Sequence, residues 1–448
     1  MKLSRPAKDA SVLSAFFKYV VPSVLAFALS GVYAIVDGFF VGQSIGDKGL
    51  SAINVAFPVV SLIQSLGTGI GMGGAVLWSL RRGERDDAAD SYLRATLWML
   101  LFASAFMTAF FFLNGPVLRL FGAEGDIYSY GKEYLDVIVL GSVFQIFATG
   151  LVPAIRNNGG ATFAFVTMLS GFGSNIVLDY VFVWVLEGGT AGAAVATILG
   201  QAVTAAEALI YFLVKKLPLF GSFRRFGRCA ASVVRVGVAP FGLTLSPMIS
   251  LMLINKFCML HGGESAVACY ACIAYAITIV QMLVQGVGDG SQPLISTFYG
   301  EGRPEKSAKV RFLAYLSAIL LALLCGVLLF ALRKLIGPLF GSSEEVAEDV
   351  AAVLPVFLAG LVFYAFSRVA TAGFYATERT LFSYLSVYSE PALMLVLLFI
   401  LPAFWGQTGV WWSAVSAQVL TAGLCLFLTL LTRKKERRTP KNVSFLNT

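Results

Sequence analysis

Apolar residues in this chain come in long stretches broken by short polar turns. A helix rises 1.5 Å per residue, so about 20 apolar residues cross the ~30 Å hydrocarbon core of a bilayer. Twelve such stretches are legible, at about 14–41, 51–78, 95–113, 134–155, 162–186, 191–214, 235–260, 266–298, 312–333, 347–375, 383–402 and 408–432. Hydrocarbon offers a bare peptide group no partner, so each stretch predicts a membrane-spanning helix. Pro22 and Pro58 fall inside the first two spans and permit kinks there. Residues 1–13 are polar and show no cleavage pattern, which predicts that the first span is retained.

Composition narrows the class further. Of 448 residues, 58% are hydrophobic and 13% charged, where soluble domains carry about 25% charged. Most of the six cysteines lie in apolar spans, and no Cys-x-x-Cys pairs with a second one. Cys269 and Cys272 therefore read as small packing residues, and His261 stands alone beside a Gly-Gly turn. The run Gly67-Thr-Gly-Ile-Gly-Met-Gly-Gly74 lacks the Lys-Ser/Thr and the preceding strand of a phosphate loop. Inside a span it predicts close helix packing. With no zinc spacing and no nucleophile elbow, a transporter is expected and an enzyme is not, and no cofactor is called for.

The distribution of charge sets the topology. If both termini share one side of the membrane, that side holds 26 of the 33 lysines and arginines. Among them are Arg81, Arg82, Arg85, Arg94, Arg156, the run from Lys215 to Arg235, and the tail from Arg433 to Lys441. Lys48, Arg119, Lys132, Arg333 and Lys334 lie on the other side; Lys256 and Arg368 fall inside spans. The positive-inside rule then places both termini in the cytoplasm and the chain in the cell membrane as a multi-pass protein. The net charge of +8 reads as a topology signal with lipid headgroup contact, with no nucleic-acid partner implied.

The chain repeats itself. Gly71-Met-Gly-Gly…Arg82-Gly83-Glu84 matches Gly288-Asp-Gly-Ser…Tyr299-Gly300-Glu301 at a shift of 217. Pro22 and Asp37 match Pro240 and Asn255 at 218, and Leu120-Phe-Gly122 matches Leu339-Phe-Gly341 at 219. Six spans per repeat give both halves the same orientation. The expected fold is an all-α polytopic membrane protein of twelve helices in two parallel six-helix lobes, related by a pseudo-two-fold axis along the membrane normal. The expected parts are a cytoplasmic N-terminus (1–13), an N-lobe (14–214), a linker (215–234), a C-lobe (235–432) and a basic tail (433–448).

The halves differ where chemistry would be. Asp37 sits in the first span, where a carboxylate costs about 2.5–3.5 kcal/mol on insertion scales and so marks a functional position. Asn175 and Asp179 are four residues apart and share one helix face, with Thr197 in the next span. Their counterparts in the second half are Met394, Leu398 and Ala414. Oxygen ligands of this kind suit Na⁺, and two neighbouring buried carboxylates would also raise one pKa enough to take up H⁺. The alternative is that Asp179 only caps or pairs near a helix end.

These elements together resemble one family. Pro22…Tyr33-Ala-Ile-Val-Asp37-Gly-Phe-Phe-Val-Gly42, the Asn175…Asp179 pair, Gly192-Ala-Ala-Val-Ala-Thr197 and Gln292-Pro-Leu-Ile-Ser296 are similar to the multidrug and toxic compound extrusion (MATE) family, in its DinF-like branch. The likeness covers about 14–432. It implies an antiporter that exports cationic or amphipathic compounds as Na⁺ or H⁺ enters; a monomer is expected. It also implies that Asp37, Asn175, Asp179 and Thr197 form the cation site. Two positions depart from the pattern. Asn255-Lys256 stands where some members carry glutamate, and Tyr180 stands where many have proline.

Lys256, Arg368 and Glu390 are charges inside C-half spans, with Asp289 near a span end. One reading pairs Glu390 with Arg368 or Lys256 in the lobe core; the other lets Lys256 snorkel outward and Arg368 reach a loop. Gln281 and Gln285 are candidates for the substrate cavity or for hydrogen bonds between helices. A lipid-linked oligosaccharide flippase of the same superfamily is the alternative function, although such proteins commonly carry two further spans.

Overall fold

The structure is a computed structural model. It describes residues 11–221, 225–340 and 342–438; the side chains of Ala34, Ile35, Asp37, Gly38, Phe39, Asp47 and residues 433–438 lie outside the described residues. The described residues form α1 (Val12–Ile45), α2 (Asp47–Gly83), α3 (Ala89–Ala109), α4 (Asn114–Leu120), α5 (Gly125–Leu140), α6 (Ser142–Asn157), α7 (Ala161–Asp179) and α8 (Gly189–Val214). They continue through α9 (Phe226–Gly300), α10 (Pro304–Ala331), α11 (Arg333–Leu339), α12 (Glu344–Ala376), α13 (Thr380–Trp405) and α14 (Gln407–Arg438).

Two features bring these helices to twelve spans. The helix α9 is 75 residues long, several times a bilayer, and breaks at Gly263 (φ 65°, ψ −158°). It therefore supplies two spans. The span expected at 134–155 is bent by 56° between α5 and α6, at Gly141, and the two helices make one broken span.

The backbone repeats as the residues do. Gly46 (φ 71°, ψ −160°) joins α1 to α2, and Gly263, 217 residues on, takes nearly the same angles between the two arms of α9. At this φ and ψ only glycine is unstrained. Arg85 and Gly302, and Gly189 and Gly406, are further positive-φ pairs at the same offset. Ser79 and Ser296 are also one repeat apart, and their hydroxyls meet at 3.4 Å. A residue that touches its own repeat partner lies at the axis relating the lobes, so the axis passes there.

Each lobe has its own core. Ile63, Trp78, Leu97, Ile138, Leu151 and Phe212 belong to the first; Phe257, Ile273, Val310, Leu354, Leu398 and Trp411 belong to the second. Outer faces carry exposed side chains such as Phe112, Leu120, Leu339 and Phe404, as lipid contact requires.

Where the lobes meet, glycines bring backbones together. The glycine run of α2 is used on two faces. Gly67 and Gly71 lie against Ile146 and Gly150 of α6, whereas Gly69 and Gly73 lie against Phe241, Gly237 and Val233 of α9. A Cβ on Gly286 would stand 2.6 Å from Val24 Cα, and one on Gly290 would stand 2.9 Å from Val20 Cα. The helix α1 thus crosses the second arm of α9 at backbone distance.

The helix α1 belongs to both lobes. Its first half places Ala15, Phe16 and Val20 in the core of the second lobe. Its second half places Val41 with Val183 and Ala193 of the first. Gly46→Ala and Gly263→Ala should each cost about 1–3 kcal/mol, since a Cβ there meets nothing and only the backbone is strained. Gly423→Ala in α14, also free of contacts, should leave the melting temperature in detergent unchanged or higher. Equal melting temperatures for all three variants would contradict this.

Candidate cation site and lobe interface

In the first lobe, α7 and α8 run antiparallel and touch through glycine. A Cβ on Gly171 would stand 2.9 Å from Gly200 O, and one on Gly200 would stand 2.8 Å from Asn175 Cβ. Gly171 also faces Thr204. Contacts 171–204 and 175–200 step by four residues along each helix. The next step brings Asp179 level with Ala196 and Thr197. Asn175, Asp179 and Thr197 are all buried.

Two local features shape this pocket. The α-helix stops at Asp179, and residues Tyr180–Val185 form a π-turn that closes with Leu186 N–H donating to Val181 O. Single π-turns in helices recur at functional sites. The turn begins at Tyr180, the position that departs from the family pattern, and nothing in the local sequence announced it. The second feature is Asn175. It is 2% exposed, and neither its amide oxygen nor its amide nitrogen has a hydrogen-bond partner among the described residues. Such a group costs about 1–3 kcal/mol unless something else satisfies it.

The far half of α1 packs against α7 and the π-turn. Tyr33 stacks on Phe172 at 4.9 Å, Phe40 meets Trp184 edge-on at 5.5 Å, and Ser44 Oγ donates to Val183 O at 3.3 Å. Position 37 lies midway, four residues after Tyr33 and four before the buried Val41; the Asp37 side chain itself is outside the described residues. In the second lobe the equivalents Met394, Leu398 and Ala414 are buried members of the apolar core. The polar pocket is therefore confined to one lobe.

A second polar cluster joins the lobes. Asp289 of α9 lies between two buried arginines: Arg156 Nη1 of α6 at 4.0 Å from Oδ2, and Arg368 Nη2 of α12 at 3.9 Å from Oδ1. Tyr375 Oη donates to Asp289 Oδ1 at 3.2 Å, and Arg156 Nη1 donates to Ser23 Oγ of α1 at 3.3 Å. Nearby, Asn157 and Gln292 exchange amide hydrogen bonds of 3.0 and 3.3 Å across the lobes. Gln292 donates on to Ser296, and Ser79 meets Thr297 at 2.8 Å. Arg81 binds both oxygens of Glu378 at 3.0 Å. Burial lifts the Glu378 carboxyl above its usual range, and Arg81 opposes this. These bonds lie at the end of the molecule that carries the basic loops.

The C-half charges divide. Arg368 and Asp289 join this cluster. Glu390 is half-buried, beside Gln418 and within the field of Arg368, and makes no ion pair among the described residues. Lys256 is exposed on α9 and makes no ion pair or hydrogen bond among the described residues. Gln281 and Gln285 are half-buried, without a hydrogen bond among the described residues. Arg156, placed by sequence in a basic loop, proves to be a buried partner of Asp289. Only its position just before an Asn-Asn-Gly-Gly turn was legible.

A two-lobed, twelve-span membrane protein is thus defined, with a buried Asn-Asp-Thr set in the first lobe that the second replaces by apolar residues, and with a polar seam. The profile of the MatE family matches residues 22–181 and again 240–400, and the chain belongs to that family. The two matches begin at Pro22 and Pro240, one repeat apart. The chain is similar to the multidrug export protein MepA of Staphylococcus haemolyticus, 22% identical over 436 residues, covering 96% of this chain and 95% of that one. Its fold is similar to a solved multidrug resistance MATE family transporter of the MOP superfamily described in its outward-facing conformation. The TM-score is 0.91 at 23% identity, with 98% and 100% of the chains covered. It is equally similar to a MOP superfamily transporter from Pyrococcus furiosus, with a TM-score of 0.91, 23% identity and the same coverage.

Replacing Asp289 by Asn should destabilise the protein by about 3–5 kcal/mol, because two buried guanidinium groups lose their shared carboxylate. Adding Arg156→Met should recover part of that loss. Melting temperatures in detergent for the single and double variants check this, and strictly additive losses would exclude the pairing.

Proposed function

We propose that this protein is a secondary antiporter that exports cationic or amphipathic drug-like compounds while Na⁺ or H⁺ moves inward through the first lobe. The observation that carries the reading is the burial of Asn175, Asp179 and Thr197 on the neighbouring helices α7 and α8, matched by an apolar triad in the other lobe. A carboxylate, an unsatisfied amide and a hydroxyl inside a membrane protein have a cost, and a bound cation offsets it. Asp37, Asp179, Asn175 and Thr197 supply the oxygens for Na⁺. For H⁺, the two carboxylates are the carriers and the amide and hydroxyl hold them in place.

Coupling follows from the placement of α1. One half is packed into the second lobe and the other against the first. Cation binding that changes how α1 lies on α7 therefore bears on how the lobes meet. Cargo and cation need only favour different arrangements for the flow of one to drive the other. The polar seam closes the basic end. With that end in the cytoplasm, a substrate chamber between the lobes would open on the opposite side. Gln281 and Gln285 are candidates for its lining. The names of the MepA relatives support a multidrug cargo.

Ethidium efflux from proteoliposomes tests the reading, with Na⁺ and pH gradients imposed separately. Efflux is expected under one gradient and should be lost in Asp37→Asn and Asp179→Asn. If folded protein moves ethidium under neither gradient, the antiport reading falls, and lipid-linked cargo of the flippase kind becomes the one to assay.

A further inference from the structure

We propose that an open groove between α3 and the start of α9 binds the headgroup of an anionic phospholipid and so ties the two lobes together at the basic end. The groove holds about 700 Å³ and is lined by Ser91, Arg94 and Trp98 of α3 with Arg225, Phe226 and Arg228 at the start of α9. Among the described residues, none of the three arginines makes an ion pair or a hydrogen bond. Asp86, near the same helix start, instead accepts the Ala88 N–H at 2.8 Å.

The groove continues into a stripe shaped like a lipid. Arg94, Trp98, Phe102 and Phe106 are four residues apart and share one face of α3. The stripe spans about 18 Å, close to the half-thickness of a hydrocarbon core. Polarity falls along it in the order of a phospholipid: guanidinium groups, then an interfacial indole, then phenyl rings. Phe102 and Phe106 are 48% and 63% exposed, and Phe102 meets Phe226 edge-on at 5.9 Å. Trp98 is held in place by donating its N–H to Gly221 O at 3.3 Å. Unpaired guanidinium groups match lipid phosphate through bidentate hydrogen bonds. A net negative headgroup suits three of them better than a zwitterion, whose ammonium cancels its own phosphate.

Position gives this site a consequence. Arg94 stands in the first lobe; Arg225 and Arg228 stand at the start of the second. Tyr92 and Met99 of α3 pack on an apolar cluster that includes Val233, Val236 and Tyr375, so the groove exists only where the lobes touch. A lipid held by both sides favours the arrangement closed at the basic end.

Native mass spectrometry of the full-length protein in detergent tests the site, with phosphatidylglycerol, cardiolipin and phosphatidylcholine offered at equal concentration. Anionic lipid should be retained by roughly tenfold over phosphatidylcholine. The preference should vanish in Arg94→Ala/Arg225→Ala/Arg228→Ala and survive in Arg303→Ala/Lys306→Ala/Lys309→Ala at the start of α10. If the first triple variant does not fold, Arg228→Gln alone should reduce the preference. Phosphatidylglycerol should also raise the melting temperature of the native protein, while inorganic phosphate should not. Equal retention of all three lipids, a preference untouched by the groove variants, or the same thermal shift with inorganic phosphate would overturn the proposal.

Discussion

Two lobes that share a bilayer cannot be held together by the hydrophobic effect, because lipid tails are as apolar as leucine. Close backbone packing and buried polar bonds must do it instead. Here both are concentrated in one zone. Gly69 and Gly73 of α2 meet Gly237, Gly286 and Gly290 of α9 meet α1, and Gly83 packs against Gly300. The Asp289 cluster and the Asn157–Gln292 pair lie in the same seam. A seam built from small residues and single hydrogen bonds can close firmly in one arrangement without a large apolar area to separate in the other. That property suits a protein whose lobes must move.

The duplicated chain supplies its own comparison. Both lobes keep much of the scaffold: the positive-φ joints at Gly46 and Gly263, and the close contacts of Gly69 and Gly73 and of Gly286 and Gly290, recur at a nearly constant offset, whereas the bend at Gly141 has no counterpart in the continuous α12. The chemistry does not recur. Asn175, Asp179 and Thr197 in one lobe answer to Met394, Leu398 and Ala414 in the other, and both sets are buried. The same backbone holds apolar side chains without difficulty, so the polar set is not needed for packing. This contrast is the strongest physical argument that the first lobe binds something.

The helix α1 links these two facts. It is a single helix of 34 residues with Pro22 inside it. Its two halves are anchored in different cores, and the segment between them crosses α9 at glycine distance. One helix thus reaches both the buried polar set of the first lobe and the seam, where Arg156 donates to Ser23 of α1.

Much of this was legible in the sequence, because it depends on local or periodic features. The spans follow from runs of apolar residues, the two lobes from the constant offset, and the placement of Asn175 and Asp179 on one face from the helical repeat. The choice of lobe for the candidate pocket also followed, since aligning the halves exposes the loss of both acids. What only the tertiary structure decided is which residues meet across helices. Arg156 with Asp289, Arg94 and Arg228 on one groove, Ser79 with its own repeat partner, and the exposure of Lys256 all depend on how helices rotate and cross. Those angles are set by glycine contacts between segments far apart in the chain. The π-turn after Asp179 belongs with them, because hydrogen-bond register at a helix end answers to the helices packed around it rather than to the residues in it.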